Sequence, residues 1–307
     1  MEALLIPVSL LAGGLLAVQA GANAQLSKAV GSPFGATAIQ LSVGAAALAL
    51  IALLTGSLIA LTELPEVPWW HAIGGAASAF YVVSTILLFP RLGAVVSVGL
   101  VIAGQMLASL ALDASGALGV PRAGLGPATL GGAALVLLGA GVIVLGQEGA
   151  VSGLNLPKLG WIALALAAGA VLPVQGAVNA LLRADLGAPS AVGAVSFLVA
   201  TLAMAAVAVA AVLVLHAPAP RLEGVRAMPR WGWLGGFAGA AYVTTVFTAI
   251  PVIGAAAAIG LTVAGQQVAS VFVDRHGWFR LPRRPVSGLR LAGVAALLAG
   301  VTIIKGF

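Results

Sequence analysis

The sequence predicts an all-α membrane protein with about ten transmembrane helices, built as two five-helix repeats inserted in opposite orientations. Three observations predict this fold. Of the 307 residues, 61% are hydrophobic and 7% are charged, whereas soluble domains carry roughly 25% charged residues. Long apolar runs recur along the whole chain. The polar motifs of residues 1–150 also recur within residues 151–307, which we interpret as the N-terminal and C-terminal repeats.

A helix needs about 20 apolar residues to cross the bilayer core. Charges, prolines and Gly-Pro clusters divide the chain into ten such runs, near residues 4–27, 34–61, 70–89, 93–112, 125–146, 159–182, 190–215, 231–250, 254–273 and 288–305. The second and seventh runs exceed the required length, which predicts tilt or an interfacial end. The connections at 91–93 and 252–254 are so short that the spans on either side are predicted to form tight hairpins.

The basic residues predict the orientation of the chain in the membrane. With ten spans, one side receives most of the Lys and Arg side chains: Lys28, Arg91, Lys158, Arg221, Arg226, Arg230, Arg275, Arg280, Arg283, Arg284 and Arg290. The other side receives Arg122, Arg183 and Lys305. Because cytoplasmic loops are enriched in basic residues, both termini are predicted outside. We expect the basic loops to contact anionic lipid headgroups and not nucleic acid.

Two blocks of sequence recur in both halves. The first is Gln-x-x-x-Asn followed by Gly-x-Pro, at residues 19–33 and again at 175–189. The second is Gly-Gln-x-x-x-Ser-x-x-x-Asp-x-x-Gly, at 104–116 and again at 265–277. Each half has an odd number of predicted spans, so the second half must be inverted relative to the first. Inverted repeats of this kind are typical of secondary transporters.

These two blocks resemble the hallmarks of the YdcZ-type branch of the drug/metabolite transporter superfamily. The resemblance extends over both halves. It implies a fused ten-helix version of a five-helix unit, and a small-molecule transporter of the bacterial cytoplasmic (inner) membrane that is related to small multidrug exporters. The halves differ where Gln25 corresponds to Leu181 and where Met106 corresponds to Gln267. Those differences indicate either an asymmetric site or simple divergence.

The glutamines of the second block are the central candidates for substrate binding. Gln105 and Gln266 lie roughly 18 Å into their spans at 1.5 Å per residue, near the membrane midplane. Ser109 and Ser270 follow them by four residues and therefore share their helix faces. Gln267 adds a further amide in the second half. A substrate cavity is one interpretation of these polar groups, and interhelical hydrogen bonding is the other.

Six further residues complete the predicted substrate-binding set. Tyr81 and Tyr242 fall at a depth similar to that of the glutamines, where they either line a cavity or fill space. The remaining four are helix-face pairs nearer the two ends of the pathway. One pair is Gln19 with Asn23, and the other is Gln175 with Asn179. Each pair either gates the pathway or ties its helix to a neighbouring helix.

No charged residue is predicted in the middle of any span. The related small multidrug exporters carry a glutamate on their first helix, whereas this chain offers only Gln19 and Asn23 there. Proton-coupled export of cations is therefore disfavoured. A neutral or zwitterionic polar substrate is favoured, although a uniporter for a weak acid also fits. Asp113 and Asp274 end their spans, where a structural or interfacial role is favoured over coupling.

Other classes of function receive little support from the sequence. Cysteine is absent, and the three histidines show no ligand spacing, so we expect neither a metal nor a cofactor. No catalytic motif is present, so we expect no enzyme, and a membrane-embedded lipid enzyme is the least favoured class. A channel for ions or small solutes is the closest alternative to a transporter. The sequence leaves open whether the fused chain forms a homodimer.

Overall fold

The computed structural model describes residues 2–92, 94–145, 159–281, 283 and 286–305. Helices dominate these ranges, and no strand occurs within them. We number the ten long helices α1 Glu2–Val30, α2 Pro33–Leu54, α3 Ala76–Leu92, α4 Ala94–Ser115, α5 Pro127–Leu145, α6 Leu159–Leu186, α7 Pro189–Leu215, α8 Leu234–Ile253, α9 Ala255–His276 and α10 Gly288–Lys305. The all-α fold is therefore confirmed.

Eight of the described helices are long and apolar enough to cross a membrane, the third of them being counted from Trp69 through Leu88. The other two, Pro127–Ile143 and Gly288–Ile304, are shorter apolar helices. A count of ten spans therefore stays a prediction. Large apolar side chains are exposed on the outer faces of several helices, including Leu11 and Leu213, as expected for surfaces that contact lipid tails.

The second span differs from its predicted extent of 34–61. The α-helix ends at Leu54, and the left-handed Gly56 (φ 69°) precedes a 3₁₀ segment, Ser57–Glu66. Glycine adopts a positive φ without steric cost, so Gly56 redirects the chain where the apolar run itself continues. The extra length is thus a separate segment at the helix end. The predicted boundary at residues 150 and 151 lies outside the described residues.

The repeated Gly-x-Pro element makes the same turn in both halves. Gly31 has φ 72° and Gly187 has φ 63°, and a proline begins the following helix in each case. Ser32 also caps α2, because its hydroxyl accepts a hydrogen bond from the amide of Gly35 at 3.2 Å. The predicted hairpin of spans eight and nine is present, since only Gly254 separates α8 from α9.

The helices of one half pack mainly against helices of the other half, in matching pairs. α1 packs most extensively on α9 and α8, and its counterpart α6 packs on α4 and α3. The pairs α2–α7 and α5–α10 join equivalent helices of the two halves. This pattern is that of a pseudo-two-fold axis running between intertwined repeats.

Glycines form the closest crossings, and they occur in equivalent pairs. A Cβ atom added to Gly13 would lie 1.9 Å from the carbonyl oxygen of Thr262, and one added to Gly265 would lie 1.8 Å from that of Leu10. The α6–α4 crossing is equivalent: a Cβ on Gly169 or on Gly104 would lie 2.0 Å from a backbone oxygen of the facing helix. Such backbone contact is how small residues stabilise helix pairs in membranes.

Candidate functional site

α4 and α9 bring the predicted polar stripes into the interior of the bundle. Gln105 and Gln267 are each 5% exposed, and Gln266 is half-buried. The hydroxyl of Ser109 donates to the carbonyl of Gln105 at 2.6 Å, and that of Ser270 donates to the carbonyl of Gln266 at 2.7 Å. Both serine protons are thus committed to their own helix.

The side-chain amides of the central glutamines are not used by the fold. Across the described ranges, Gln105, Gln266 and Gln267 make no side-chain hydrogen bond to another protein group. Among the described residues, none of these three amides contributes an atom to the fully buried polar atoms that lack a partner. They therefore stay accessible at the surface of the bundle's interior, where they are suited to a polar molecule that enters the bundle.

Tyr81 and Tyr242 approach each other across the two halves, close enough to interact electrostatically. The hydroxyl of Thr262 donates to the carbonyl of Ile259 at 2.9 Å and lies beside Tyr242. Val101 occupies the position equivalent to Thr262 in the first half, so Tyr81 has no matching partner there. Sequence reasoning missed Thr262, although it extends the α9 stripe by one turn, four residues before Gln266.

The pair on α6 ties helices together through three side-chain hydrogen bonds, although the Oδ1 of Asn179 is buried without a partner. Gln175 and Ser78 exchange hydrogen bonds at 2.8 and 3.0 Å, which joins α6 to α3. The Nδ2 of Asn179 donates to the hydroxyl of Ser196 at 3.0 Å, which joins α6 to α7. Ser78 was also missed by the sequence reasoning, and the available signal was its position three residues before Tyr81 in a run of small residues.

The equivalent pair on α1 differs from the α6 pair at its glutamine. The Nδ2 of Asn23 donates to the hydroxyl of Thr37 at 3.2 Å, while the Oδ1 of Asn23 is buried without a partner. Gln19 lies against Gly239, which replaces Ser78 at the equivalent position. In the described part of the chain, the Gln19 amide makes no hydrogen bond to protein. The two pairs therefore play different roles despite their common motif.

The two symmetric carboxylates lie at helix ends and are already paired. Asp113 accepts hydrogen bonds from the amides of Ala255 and Ala256 at 2.7 and 2.9 Å, and thereby caps the start of α9. Asp274 pairs with Arg290 of α10 at 2.7 Å. We name the two ends of the bundle after these residues, the Asp113 end and the Asp274 end.

Charged side chains are confined to the two ends of the described helices. Lys28, Arg91, Arg183 and Arg275 all lie in the last turn of their helices. At the Asp113 end, His71 pairs with Asp185 at 2.5 Å. The interior around Gln105 is consequently polar but without charge.

A pocket of about 310 Å³ opens at the Asp113 end. Its lining comes from both halves: the loop after α4, the last turns of α6 and the end of α8. Apolar and small residues make up the lining, together with a single charged residue, Arg183. None of the predicted substrate-binding residues lies in this lining.

Inverted repeats that interlock around a polar, uncharged interior are typical of membrane transporters. The chain matches the family described as "Putative inner membrane exporter, YdcZ" over residues 4–142 and 160–303. It belongs to this family, and the two matched segments correspond to its two halves. The chain is therefore a multi-pass inner-membrane protein of a transporter family.

A solved crystal structure of another protein shares the fold. It superposes with a TM-score of 0.68 over 98% of this chain and 94% of that chain, at 21% sequence identity. None of the curated proteins compared with the chain matches it.

Proposed function

We propose that the protein is a secondary transporter that moves a small polar, neutral or zwitterionic molecule across the cytoplasmic membrane by alternating access. The unpaired amides of Gln105, Gln266 and Gln267 carry this proposal. Their donors and acceptors would bind polar groups of the substrate. Tyr81 would add a hydroxyl, since Val101 stands where Thr262 lies beside Tyr242 in the other half. Gln19 extends the polar path toward the Asp274 end.

The uncharged interior supports the choice of substrate. A permanent cation or anion would lose its hydration there without a counter-charge, whereas a neutral or internally balanced molecule would exchange water for amides. The paired state of Asp113 and Asp274 supports structural roles for both carboxylates.

The interlocked halves support alternating access. Each helix of the matched pairs lies against the opposite repeat, so exchange of the two repeat conformations would move the opening from one end to the other. The exporter description of the family favours outward transport and favours a transporter over an enzyme. We further propose that the halves are residues 1–150 and 151–307, with both termini outside.

Counterflow in proteoliposomes tests the proposal. The full chain is reconstituted, loaded with neutral amides, amino acids or sugars, and assayed for accumulation of the labelled molecule. We expect saturable counterflow with at least one neutral or zwitterionic compound. Non-saturating flux with single-channel conductance would establish a channel instead, and transport restricted to permanent organic cations would overturn the choice of substrate.

Isosteric variants connect the transport to the site. Methionine matches glutamine in length but lacks its amide, so Q105M and Q266M should reduce counterflow by at least about tenfold each, the equivalent of one lost hydrogen bond of about 1.4 kcal/mol. T302V is the matched control, because the Thr302 hydroxyl is exposed and bonds only the carbonyl of Leu298. Unchanged counterflow in both glutamine variants would show that these amides do not bind the substrate.

A further inference from the structure

The pocket at the Asp113 end carries an unbalanced positive charge. Arg183 lines it and, within the described ranges, makes no ion pair or hydrogen bond. Two acids at this end are engaged elsewhere, because Asp185 pairs with His71 and Asp113 accepts two backbone amides. A guanidinium beside an apolar wall is thus left to interact with a bound molecule.

The remainder of the lining is apolar and compact. Leu118 and Gly119 come from the loop after α4, and Pro251 comes from α8. Leu181 lies near the end of α6, and Gly187 follows that helix. The volume of about 310 Å³ lies at the small end of the range for ligand pockets. One cation above such a surface fits a small molecule with one anionic group and a short apolar body.

The equivalent place at the Asp274 end is filled, although its loop has the same shape. Leu118 corresponds to Phe279, and both adopt the left-handed conformation, with φ 55° and 58°. The Nε2 of Gln25 donates to the carbonyl of Phe279 at 2.8 Å. The Phe279 ring packs so closely on Gly21 that a Cβ there would lie 2.5 Å from it.

The pocket therefore arises from sequence differences between the halves and not from a difference in their fold. At the Asp274 end, the positions equivalent to Leu118, Leu181 and Arg183 hold Phe279, Gln25 and Ser27. The larger ring and the amide bond close one end, whereas a leucine pair leaves space and the arginine adds charge at the other.

We propose that this pocket binds an anionic oxygen group, a carboxylate or a phosphate, attached to a short apolar body, with Arg183 as the charged contact. The binding is separate from the central glutamines and does not depend on transport. A soluble organic acid and an anionic lipid headgroup share this chemistry, and the experiment below separates the two sources.

Hexanoate is the probe. The full chain is placed in nanodiscs of phosphatidylcholine, and binding is followed by tryptophan fluorescence and by the shift in thermal unfolding. We expect saturable binding of hexanoate, at least about tenfold weaker binding of the neutral hexanamide, and at least about tenfold weaker hexanoate binding by R183Q. R226Q is the matched control, since Arg226 is exposed in the loop after α7 and should bind hexanoate like the unsubstituted chain.

A second variant tests the same pocket if R183Q fails to fold. L118F keeps the charge of Arg183 but fills the pocket with a phenylalanine ring, the residue found at the equivalent position 279. We therefore expect it to weaken hexanoate binding as well. A separate measurement tests the lipid headgroup, with part of the phosphatidylcholine in the nanodiscs replaced by phosphatidylglycerol. Stabilisation by phosphatidylglycerol that R183Q abolishes, without hexanoate binding, would assign the site to a lipid headgroup.

Three results would overturn the inference: equal binding of hexanoate by R183Q, equal binding of hexanamide and hexanoate, or no Arg183-dependent effect of either hexanoate or phosphatidylglycerol. Because counterflow is not measured here, failure of this inference is distinguishable from failure of the proposed transport function.

Discussion

The carboxylate of Asp113 accepts a hydrogen bond from the amide of Ala255 at 2.7 Å, and so caps a helix that belongs to the opposite half of the protein. The amide of Ala256 donates to the second carboxylate oxygen at 2.9 Å. The first-turn amides of a helix have no partner within it. An acid at the end of α4 therefore stabilises the start of α9 and fixes the two halves together at this end.

Removal of this cap should destabilise the folded protein. We expect D113A to lower the free energy of unfolding by about 1–2 kcal/mol, because both amides lose their partner and the helix dipole loses its counter-charge. D113N keeps one acceptor oxygen, so its free energy of unfolding should lie between those of D113A and the unsubstituted chain. Denaturant unfolding in detergent micelles measures both. The control is E66Q, which neutralises an exposed acid, and a D113A protein as stable as E66Q would show that the cap contributes nothing.

The glycine crossings should not tolerate a methyl group. In G104A the new Cβ would lie about 2.0 Å from the carbonyl oxygen of Leu166, so α4 and α6 must separate, at a cost of about 1–3 kcal/mol. G141A is the matched control, because nothing lies within 4 Å of a Cβ at Gly141. Alanine there should be neutral or slightly stabilising. Thermal unfolding of the two variants compares them directly, and similar melting temperatures would contradict the close crossing.

The hydrogen bond between Ser78 and Gln175 should show energetic coupling. S78A leaves the buried Gln175 amide without its partner, for which we expect a loss of about 1–2 kcal/mol. Q175A should cost little more when Ser78 is already absent. A double-mutant cycle of unfolding free energies gives the coupling. S42A removes an exposed hydroxyl that bonds only its own helix and serves as the control; additive effects of S78A and Q175A would argue against the bond.

A carboxylate at the centre should change the substrate. In Q105E an acid replaces an amide that is 5% exposed, and the buried acid is expected to charge only when a cation binds beside it. We expect Q105E to gain stabilisation by tetraphenylphosphonium, increasing with pH, because only the ionised form attracts the cation. Q105M lacks the acid and should gain none. A thermal-shift series from pH 5 to pH 9 measures the effect, and equal shifts in both variants would place Gln105 away from the pathway.

The predicted orientation can be read by cysteine labelling, because the chain contains no native cysteine. A123C lies in the loop after Asp113, and E223C lies in the loop that follows α7; both positions are exposed. With both termini outside, an impermeant maleimide added to intact cells should label A123C, whereas E223C should react only after permeabilisation. The reverse pattern would place the Asp113 end in the cytoplasm.

Much of the fold could be predicted from the sequence because the responsible physics is local. Apolar runs interrupted by glycine and proline mark helices, and the paired turns at Gly31 and Gly187 follow from the residues themselves. Helix ends were less predictable: α2 stops at Leu54 although the apolar run continues to residue 61, because Gly56 redirects a chain that is equally apolar on both sides.

The candidate site was only partly predictable. Position within the repeat indicated that Gln105, Gln266, Tyr81 and Tyr242 lie inside the bundle, yet it gave no reason to expect Thr262 beside Tyr242. The same motif occurs on α1 and α6, but a partner on another helix determines what each copy does. Ser78 engages Gln175, whereas Gly239 leaves Gln19 without that bond.

The sequence by itself therefore determined that the chain lies in the membrane, that it is duplicated, and some of the polar groups that reach the interior. Only the tertiary structure decided which of those groups are consumed by the fold and which are left to bind another molecule. The physical reason is that a membrane helix satisfies its own backbone but not its side chains. A buried amide such as that of Gln105 or Gln175 is satisfied only by whatever the neighbouring helix places opposite it.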